Sequence, residues 1–255
     1  MDRTKPQEHP FESLRRQFGT PMTGMSDCVA DGDQMFHDRT KHYRSVGQSA
    51  WRCIASALLA AEVSEPRRIL DMPCGHGRVM RVLRQAFPDA VLTGCDLERS
   101  GVDFCAQEFG AIPHYSNQDL SQVHFEAGFD LIWVGSLVTH LDAPDWHEFF
   151  RLLLRSLQPN GVAVMTFHGR WAAYLMQQGN SYGLEPAQID AILQGYASSG
   201  FGYSDYPSTK GYGISLSSPA WLMSGLQEWQ QLRFVALSER QWDDHQDVLA
   251  IQRIS

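Results

Sequence analysis

The chain has 255 residues, of which 43% are hydrophobic and 20% charged, and its formal net charge is −8. This length allows one sizeable domain, or one domain with an added segment. The negative charge argues against a general nucleic-acid binder, which would present clustered lysine and arginine. No apolar run approaches the roughly 18 residues that span a bilayer, and the first residues form no hydrophobic signal region, so a cytoplasmic location is expected.

From residue 43 onward, the hydrophobic pattern predicts alternating helices and strands. Residues 1–40 are polar with scattered proline and glycine, and apolar residues at near-helical spacing predict a helix over 43–61. Short apolar runs then predict strands at 68–71, 90–97, 112–115, 128–135 and 162–168. Helices are predicted between them, from about 79 to 86, over 101–109 and over 146–157, the last ending at a turn over 158–161. This alternation predicts an α/β fold built on a doubly wound parallel sheet.

The segment 169–218 is too long for a plain connection in a compact domain. It contains apolar residues at helical spacing over 189–196, followed by a run over 200–215 that is rich in glycine, tyrosine and serine. We therefore expect it to form a lid or a substrate-binding cap. Two further strands, 232–238 and 247–254, are predicted to close the chain.

The loop after the first predicted strand is the most informative feature. It runs from Asp71 through Gly75 and Gly77 into the next helix, so that a ligand can approach bare backbone. The second strand ends at Asp96, about 20 residues after the glycines, where a ribose-binding acid belongs in a nucleotide-binding fold. The pattern predicts a nucleoside-containing cofactor.

The same loop narrows the choice of cofactor. Met80 stands where a dinucleotide-binding loop needs a third glycine or an alanine for close packing. No Gly-Lys-Ser/Thr is present to cradle phosphates. Asp71 would repel a pyrophosphate but suits a cofactor that carries an ammonium and a sulfonium, which makes a nicotinamide dehydrogenase a distant alternative.

These residues resemble the first motif of class I S-adenosylmethionine-dependent methyltransferases, which reads acid-x-Gly-x-Gly-x-Gly. Asp71, Gly75 and Gly77 match it, and Pro73 replaces the first glycine. The resemblance implies a Rossmann-like seven-stranded, mostly parallel sheet with helices on both faces, an antiparallel last strand and the cap after the fifth strand. It also implies S-adenosylmethionine as cofactor and S-adenosylhomocysteine as product. The runs 71–79, 133–141, 200–207 and 244–248 resemble bacterial methyltransferases that are often associated with glycosyltransferases, which favours a sugar or glycan hydroxyl as acceptor.

The expected organisation follows from this resemblance. Residues 1–62 would form an N-terminal segment and a helix beside the cofactor cleft, and 63–168 the S-adenosylmethionine-binding core. Residues 169–218 would form the cap, and 219–255 the strands that complete the sheet. Expected cofactor-binding residues are Asp71, Pro73, Cys74, Gly75, Gly77, Asp96, Leu97, Gln118, Asp119, Gly135 and Ser136.

Each of these assignments has a simpler alternative. Asp96 can accept both ribose hydroxyl protons, or it can cap the start of the next helix. The resemblance places Asp119 at the adenine amino group, whereas the residue type alone equally suggests a turn. Gly75 and Gly77 could simply form a tight turn.

Methyl transfer to an alcohol benefits from a base that removes the hydroxyl proton. His140, after the fourth strand, and His168, at the end of the fifth, could act as that base, and Asp142 could orient His140. Either histidine could instead form structural hydrogen bonds. His37 and His42 are outside candidates.

The acceptor and the chemistry stay open at this level. Five aromatic residues could line an acceptor pocket or merely pack in the cap: Trp171, Tyr174, Tyr203, Tyr206 and Tyr212. The histidine spacing predicts no metal site. A small-molecule or glycan acceptor is expected, with N- or carboxyl-methylation and non-catalytic cofactor binding as alternatives.

Overall fold

The computed structural model describes residues 24–36 and 40–254; residues 1–23 and 37–39 of the predicted N-terminal segment, including His37, lie outside these residues. The helices of the described part are α1 (Thr40–Ala61), α2 (Met80–Ala86), α3 (Arg99–Phe109), α4 (Ala143–Ser156), α5 (Arg170–Gln177), α6 (Pro186–Ser199) and α7 (Pro219–Leu226). The strands are β1 (Arg68–Asp71), β2 (Val91–Asp96), β3 (Ile112–Tyr115), β4 (Phe129–Val134), β5 (Leu157–Phe167), β6 (Phe201–Tyr206), β7 (Thr209–Ser217), β8 (Leu232–Trp242) and β9 (Gln246–Arg253).

A seven-stranded sheet with the order β3-β2-β1-β4-β5-β9-β8 forms the centre of the fold. Strands β1 to β5 pair in parallel, whereas β9 pairs antiparallel with both β5 and β8. The predicted Rossmann-like, mostly parallel sheet with an antiparallel last strand is confirmed.

Side chains alternate between the two faces of this sheet, as the two-residue period of a strand requires. In β1, Ile69 packs into a cluster with α1, α2 and α3, whereas Leu70 joins a second cluster with α4 and α7. Leu131 and Ile132 of β4 divide in the same way. Because both faces are covered by helices, the central strands are almost continuously apolar.

The fifth strand differs from its prediction. It begins at Leu157 rather than at 162, and the predicted turn at 158–161 lies within it. The pairing between β4 and β5 shifts register between Phe129 and Leu131, and Asn160 has a φ of 65°. The turn residues are accommodated as an irregularity inside a strand because Leu157 still pairs with Phe129.

The segment 169–218 contains α5, α6 and the hairpin of β6 and β7, of which the sequence predicted only α6. An apolar cluster of its own includes Met176, Ile192 and Leu216. Its last strand is tied to the main sheet, since the Ser217 N–H donates to the His168 carbonyl at 2.9 Å. Among the described helices, none is both long and apolar enough to cross a membrane.

Candidate cofactor and acceptor site

The ends of four parallel strands bring the predicted site residues to one edge of the sheet, where ligands bind in open α/β folds. Asp71 ends β1 and Asp96 ends β2. Ser136 follows β4, and His168 follows β5.

Asp96 connects the glycine loop to the second strand. Its Oδ2 accepts a hydrogen bond of 2.7 Å from the Gly75 N–H, and its Oδ1 accepts one of 2.9 Å from the Glu98 N–H. The side chain of Glu98, rather than that of Asp96, caps α3. A carboxylate has about four acceptor positions, so Asp96, which is only partly buried, retains capacity for a further donor.

The two glycines of the loop have different surroundings. Gly75 has a φ of 47°, and a Cβ built on it would meet no atom within 4 Å, so its outer side is open to a ligand. Gly77 has a φ of 79°, and a Cβ there would overlap the Phe109 ring. Gly77 therefore permits close packing of the loop against α3.

Asp71 is a buried acid, and among the described residues only the Met80 backbone N–H lies near enough to its carboxylate to favour the ionised form as a donor. The residue is 1% exposed, and neither carboxylate oxygen has a hydrogen bond of regular geometry to a residue that the structure describes. Burial, reinforced by the charge of Asp96, raises its pKa well above the usual value. An unpaired buried carboxylate is costly. This site therefore fits a ligand that brings positive charge, as an ammonium or a sulfonium does.

The other predicted cofactor residues differ in their contacts and exposure. The Cys74 N–H donates to the Cys95 carbonyl at 3.0 Å, which fixes the loop to β2, and Pro73 is partly buried. Leu97 is 56% exposed beside Asp96. Gln118 is also exposed.

Asp119 forms a turn in this structure. Its side chain accepts a hydrogen bond of 2.9 Å from the Ser121 N–H and begins a short 3-10 helix, Leu120–Gln122. The same contact with Ser121 lowers the pKa of the carboxyl. An adenine-binding role for Asp119 stays a prediction.

Ser136 belongs to a polar network that joins three strands. Its backbone is left-handed, with a φ of 60°, and its N–H donates to Thr166 Oγ1 at 2.8 Å. Thr166 Oγ1 donates to Gln246 Oε1 at 2.6 Å, and Gln246 Nε2 donates to Ser136 Oγ at 3.0 Å. A Cβ at Gly135 would lie 2.8 Å from the indole nitrogen of Trp133. The network fixes the chain where β4 leaves the sheet.

His140 has one ring nitrogen committed and the other without a described hydrogen-bond partner. Its Nδ1 lies 2.7 Å from the Gly213 carbonyl oxygen, which can only accept, so Nδ1 carries the proton and Nε2 has the lone pair. Burial lowers the pKa of His140, which is therefore neutral at pH 7. The Tyr212 ring stacks on the imidazole with centroids 4.6 Å apart. Asp142 does not orient His140 as predicted, because it caps α4 by accepting from the Asp145 N–H at 2.9 Å.

His168 lies in a neutral cluster with two residues that the sequence analysis did not single out. Burial, followed by the effect of His245 and His140, lowers its pKa to about 3, and its Nδ1 has no hydrogen-bond partner among the described residues. The rings of Tyr182 and His245 lie 5.1 and 5.5 Å from the His168 ring, centroid to centroid. Tyr182 Oη lies 3.3 Å from His245 Nε2.

The hairpin of β6 and β7 connects the histidines with the acidic side of the site. Burial, and then the charge of Asp96, raises the pKa of Tyr212, so this tyrosine lies within electrostatic range of Asp96 while stacking on His140. Tyr206 is also near, with its ring centroid 6.2 Å from that of His140. No group of three or more metal-ligating side chains occurs in the part of the chain that the structure describes.

The other aromatic candidates of the insertion have different neighbours. Tyr203 donates from its hydroxyl to Asp205 at 2.7 Å. Trp171 and Tyr174 stack on each other with centroids 5.2 Å apart, and the Arg240 guanidinium lies 3.9 Å from the Trp171 ring.

These features define a Rossmann-like protein with a nucleoside-cofactor site. Residues 69–161 match a family described as a methyltransferase domain. This segment of the chain is therefore similar to a methyltransferase domain.

Two curated relatives of this chain are methyltransferases. Malonyl-[acyl-carrier protein] O-methyltransferase of Anoxybacillus flavithermus is 25% identical over 142 residues, covering 55% of this chain and 54% of that protein. Trans-aconitate 2-methyltransferase of Yersinia pseudotuberculosis is 29% identical over 125 residues, covering 48% and 46%. The chain thus spans about half the length of these curated relatives.

A solved structure shares the fold over almost the whole chain. The 1,6-didemethyltoxoflavin-N1-methyltransferase of Burkholderia thailandensis has a TM-score of 0.57 at 15% identity, covering 99% of this chain and 93% of that one. At this level of identity the likeness concerns the fold.

Proposed function

We propose that this protein transfers a methyl group from S-adenosylmethionine to a hydroxyl oxygen of an uncharged small molecule, such as a sugar, a glycan or another metabolite. The observation that carries the proposal is His140. It is a neutral histidine with an available Nε2, at the same sheet edge as the unpaired Asp71. Residues 63–168 would serve as the cofactor-binding core. A cytoplasmic location stays a prediction.

The cofactor would bind along the carboxyl ends of β1 and β2. Asp96 would accept hydrogen bonds from the ribose hydroxyls, and the open side of Gly75 would allow close approach of the backbone. Asp71 would face the positive charge, with Pro73, Cys74 and Gly77 shaping the loop. The rim residues Leu97, Gln118 and Asp119 would lie at the adenine, and Gly135 and Ser136 would line the opposite wall. The cofactor supplies a methyl group bonded to a positively charged sulfur.

His140 would act as the general base. Its Nε2 would accept the proton of the acceptor hydroxyl, while the Gly213 carbonyl holds Nδ1–H and thereby fixes the tautomer. Tyr212 would keep the imidazole in position through stacking. His168 is a second candidate, because its buried Nδ1 has no partner among the described residues.

The insertion 169–218 would act as the cap over the acceptor. It contributes Tyr182 and Tyr212 to the neighbourhood of the two histidines, and closing this side excludes water from the transfer. Aromatic faces beside polar groups suit sugar or aromatic acceptors.

The charged residues next to the histidines and the insertion favour a hydroxyl over a carboxylate acceptor. A carboxylate would be best bound by an arginine whose fork is available. Arg170 instead pairs with Glu239 at 2.6 Å, and Arg240 pairs with Asp244 at 2.9 Å. The rings around His140 and His168 belong to tyrosines and to another histidine, which are neutral at pH 7.

The chemistry of the product tests the proposal. The protein is incubated with methyl-labelled S-adenosylmethionine and either a host extract or a panel of glycosides, phenols, amines and carboxylic acids. The product is then treated with mild alkali. We expect the label to stay in an alkali-stable ether, whereas release as volatile methanol would show carboxyl methylation. Label on nitrogen would also contradict the proposal, as would cofactor binding without transfer to any acceptor.

A further inference from the structure

Ser136, the second residue after β4, has a backbone conformation that residues with a side chain rarely adopt. Its φ is 60°, in the left-handed region. Such a conformation persists only where the surrounding structure fixes it, and it occurs most often at functional sites. Ser136 is the first residue of the turn 136–140, which ends at His140. The contacts that fix Ser136 therefore also bear on the position of the histidine.

Gln246 of β9 closes a buried ring of hydrogen bonds around Ser136. The Ser136 N–H donates to Thr166 Oγ1 at 2.8 Å, and the Thr166 hydroxyl donates to Gln246 Oε1 at 2.6 Å. Gln246 Nε2 completes the ring by donating to Ser136 Oγ at 3.0 Å. Thr166 is completely buried, and Gln246 is 8% exposed. One amide group thus restrains the left-handed residue at its side chain and, through Thr166, at its N–H.

Thr139 connects this ring to the histidine. Its hydroxyl donates to the Ser136 carbonyl at 2.9 Å, and its Oγ1 lies 3.4 Å from Ser136 Oγ. Thr139 is completely buried and directly precedes His140 in the short 3-10 helix Val138–His140. A change in the backbone at Ser136 would therefore be passed to His140 through the chain and through the Thr139 hydroxyl.

The strand β7 makes a second set of contacts with the same turn. The Ser215 hydroxyl donates to the Val138 carbonyl at 3.0 Å, and the Gly213 carbonyl oxygen lies 2.7 Å from His140 Nδ1. The contact with Gly213 leaves the lone pair of the imidazole on Nε2. It persists only while the turn 136–140 keeps its position relative to β7.

We propose that Gln246 is a positioning residue for His140. By holding Ser136 in its left-handed conformation, Gln246 keeps the imidazole at the Gly213 carbonyl, with the lone pair on Nε2. A buried polar network in which every member is paired specifies a single arrangement. Loss of the Gln246 amide would leave Ser136 Oγ and the Thr166 hydroxyl without these partners, and the turn could relax. The catalytic meaning of this arrangement rests on the proposed role of His140 as the base.

Nuclear magnetic resonance measures the tautomer of His140 without any acceptor. In protein labelled with a nitrogen isotope on histidine, proton–nitrogen correlations distinguish an imidazole protonated on Nδ1 from one protonated on Nε2, and His140→Gln assigns the signals. Near pH 7 we expect the parent to show only the Nδ1–H form, and Gln246→Met to show both forms. Gln246→Glu should retain the Nδ1–H form, because a carboxyl group of the same shape can accept from the hydroxyls of Thr166 and Ser136.

Gln252→Met is the matched control. Gln252 lies on the same strand and is 5% exposed, and it too is paired, since its Nε2 donates to the Asn160 carbonyl at 2.9 Å and its Oε1 accepts from Arg233 at 2.7 Å. Both variants should unfold at lower urea concentrations than the parent, but Gln252→Met should keep the Nδ1–H form of His140. The same mixture of tautomers in both would show that any loss of stability loosens the turn. A single Nδ1–H form in Gln246→Met would also overturn the proposal.

A shorter amide and a kinetic measurement complete the test. If Gln246→Met does not fold, Gln246→Asn decides the question, because this side chain is too short to reach Thr166 and Ser136 together; the proposal requires both tautomers in it. With an identified acceptor, Gln246→Met should lower kcat by about 10–100-fold with little change in KM, and Gln252→Met should keep the parental kcat. Absence of an oxygen-methylated product would contradict the proposed function alone, because the tautomer is measured without an acceptor.

Discussion

A single added methyl group at Gly101 tests whether α3 fixes the cofactor loop. Gly101 is buried in the first turn of α3, and a Cβ there would lie 2.7 Å from the Gly75 carbonyl carbon, about 0.7 Å inside an ordinary contact of 3.4 Å. The neighbouring atom belongs to the backbone, so it cannot rotate away. Overpacking of this kind costs about 1–3 kcal/mol, which exceeds the roughly 0.5–1 kcal/mol that alanine gains over glycine in a helix. We expect Gly101→Ala to lower the free energy of unfolding by about 0.5–2 kcal/mol.

The same substitution should also weaken cofactor binding. Moving the Gly75 peptide would lengthen its 2.7 Å hydrogen bond to Asp96 and displace both groups from the position proposed for the ribose. If Asp96 can then no longer accept a hydrogen bond from the ligand, binding should weaken by about 1.5–3 kcal/mol, which is at least a tenfold loss of affinity. Urea unfolding and calorimetry with S-adenosylhomocysteine measure the two effects.

Gly225→Ala provides the matched control. Gly225 also lies in a helix, α7, but a Cβ there would meet no atom within 4 Å. This variant should be stabilised by up to about 1 kcal/mol and should bind normally. If Gly101→Ala were as stable as Gly225→Ala and bound the ligand with parental affinity, the proposed rigid contact between α3 and the loop would be wrong.

Three further predictions concern ionisable groups. His140→Ala should lower turnover of the identified acceptor by about 10²–10⁴-fold without weakening S-adenosylhomocysteine binding. The control His124→Ala, at an exposed histidine, should have no effect. A parental rate for His140→Ala would exclude His140 as the base. Because burial lowers the pKa of His140, kcat/KM of the parent should rise with pH to a half-maximum below pH 6.5, and a midpoint above that value would contradict the argument. The pKa of Asp71 is higher in the folded protein than the usual value of 3.8, so the folded state binds its proton more tightly than the unfolded state does. The free energy of unfolding of the cofactor-free protein should therefore fall as the pH rises from about 3.8 towards the folded-state pKa. Urea unfolding across that range should show a flatter dependence for Asp71→Asn, and an identical slope would show that Asp71 does not titrate in this way.

The sequence predicted the sheet well because its central strands carry local signals. Buried apolar runs followed by glycine or acidic residues mark β1, β2 and β4, and their ends differ from the predicted ones by at most one residue. The strand β5 was shortened in the prediction because proline, asparagine and glycine at 159–161 normally indicate a turn. Tertiary pairing between Leu157 and Phe129 overrides that signal.

The surroundings of His140 and His168 could not be predicted from the sequence, because they are formed by residues that are far away along the chain. Gly213 lies 73 residues from His140, and Gln246 lies 110 residues from Ser136. The antiparallel pairing of β9 with β5 brings Asp247 opposite Phe167, so that His245 arrives beside His168. In the sequence, only the resemblance of the run 244–248 to bacterial methyltransferases pointed to that region. Conversely, the local proximity of Asp142 to His140 misled the prediction, because capping of α4 uses that carboxylate.

The charges of the site are divided in a way that suits methyl transfer to an alcohol. Asp71 and Asp96 lie on the β1 and β2 side, and neutral imidazoles lie on the β4 and β5 side. Before transfer, one positive charge would be on sulfur; after proton removal, one would be on the His140 imidazole. The same carboxylates can therefore balance a single positive charge in both states, and Tyr212, which stacks on His140, is also within electrostatic range of Asp96. A base that was already charged would add a second cation before transfer, so the low pKa that burial gives His140 is a requirement of the proposed chemistry.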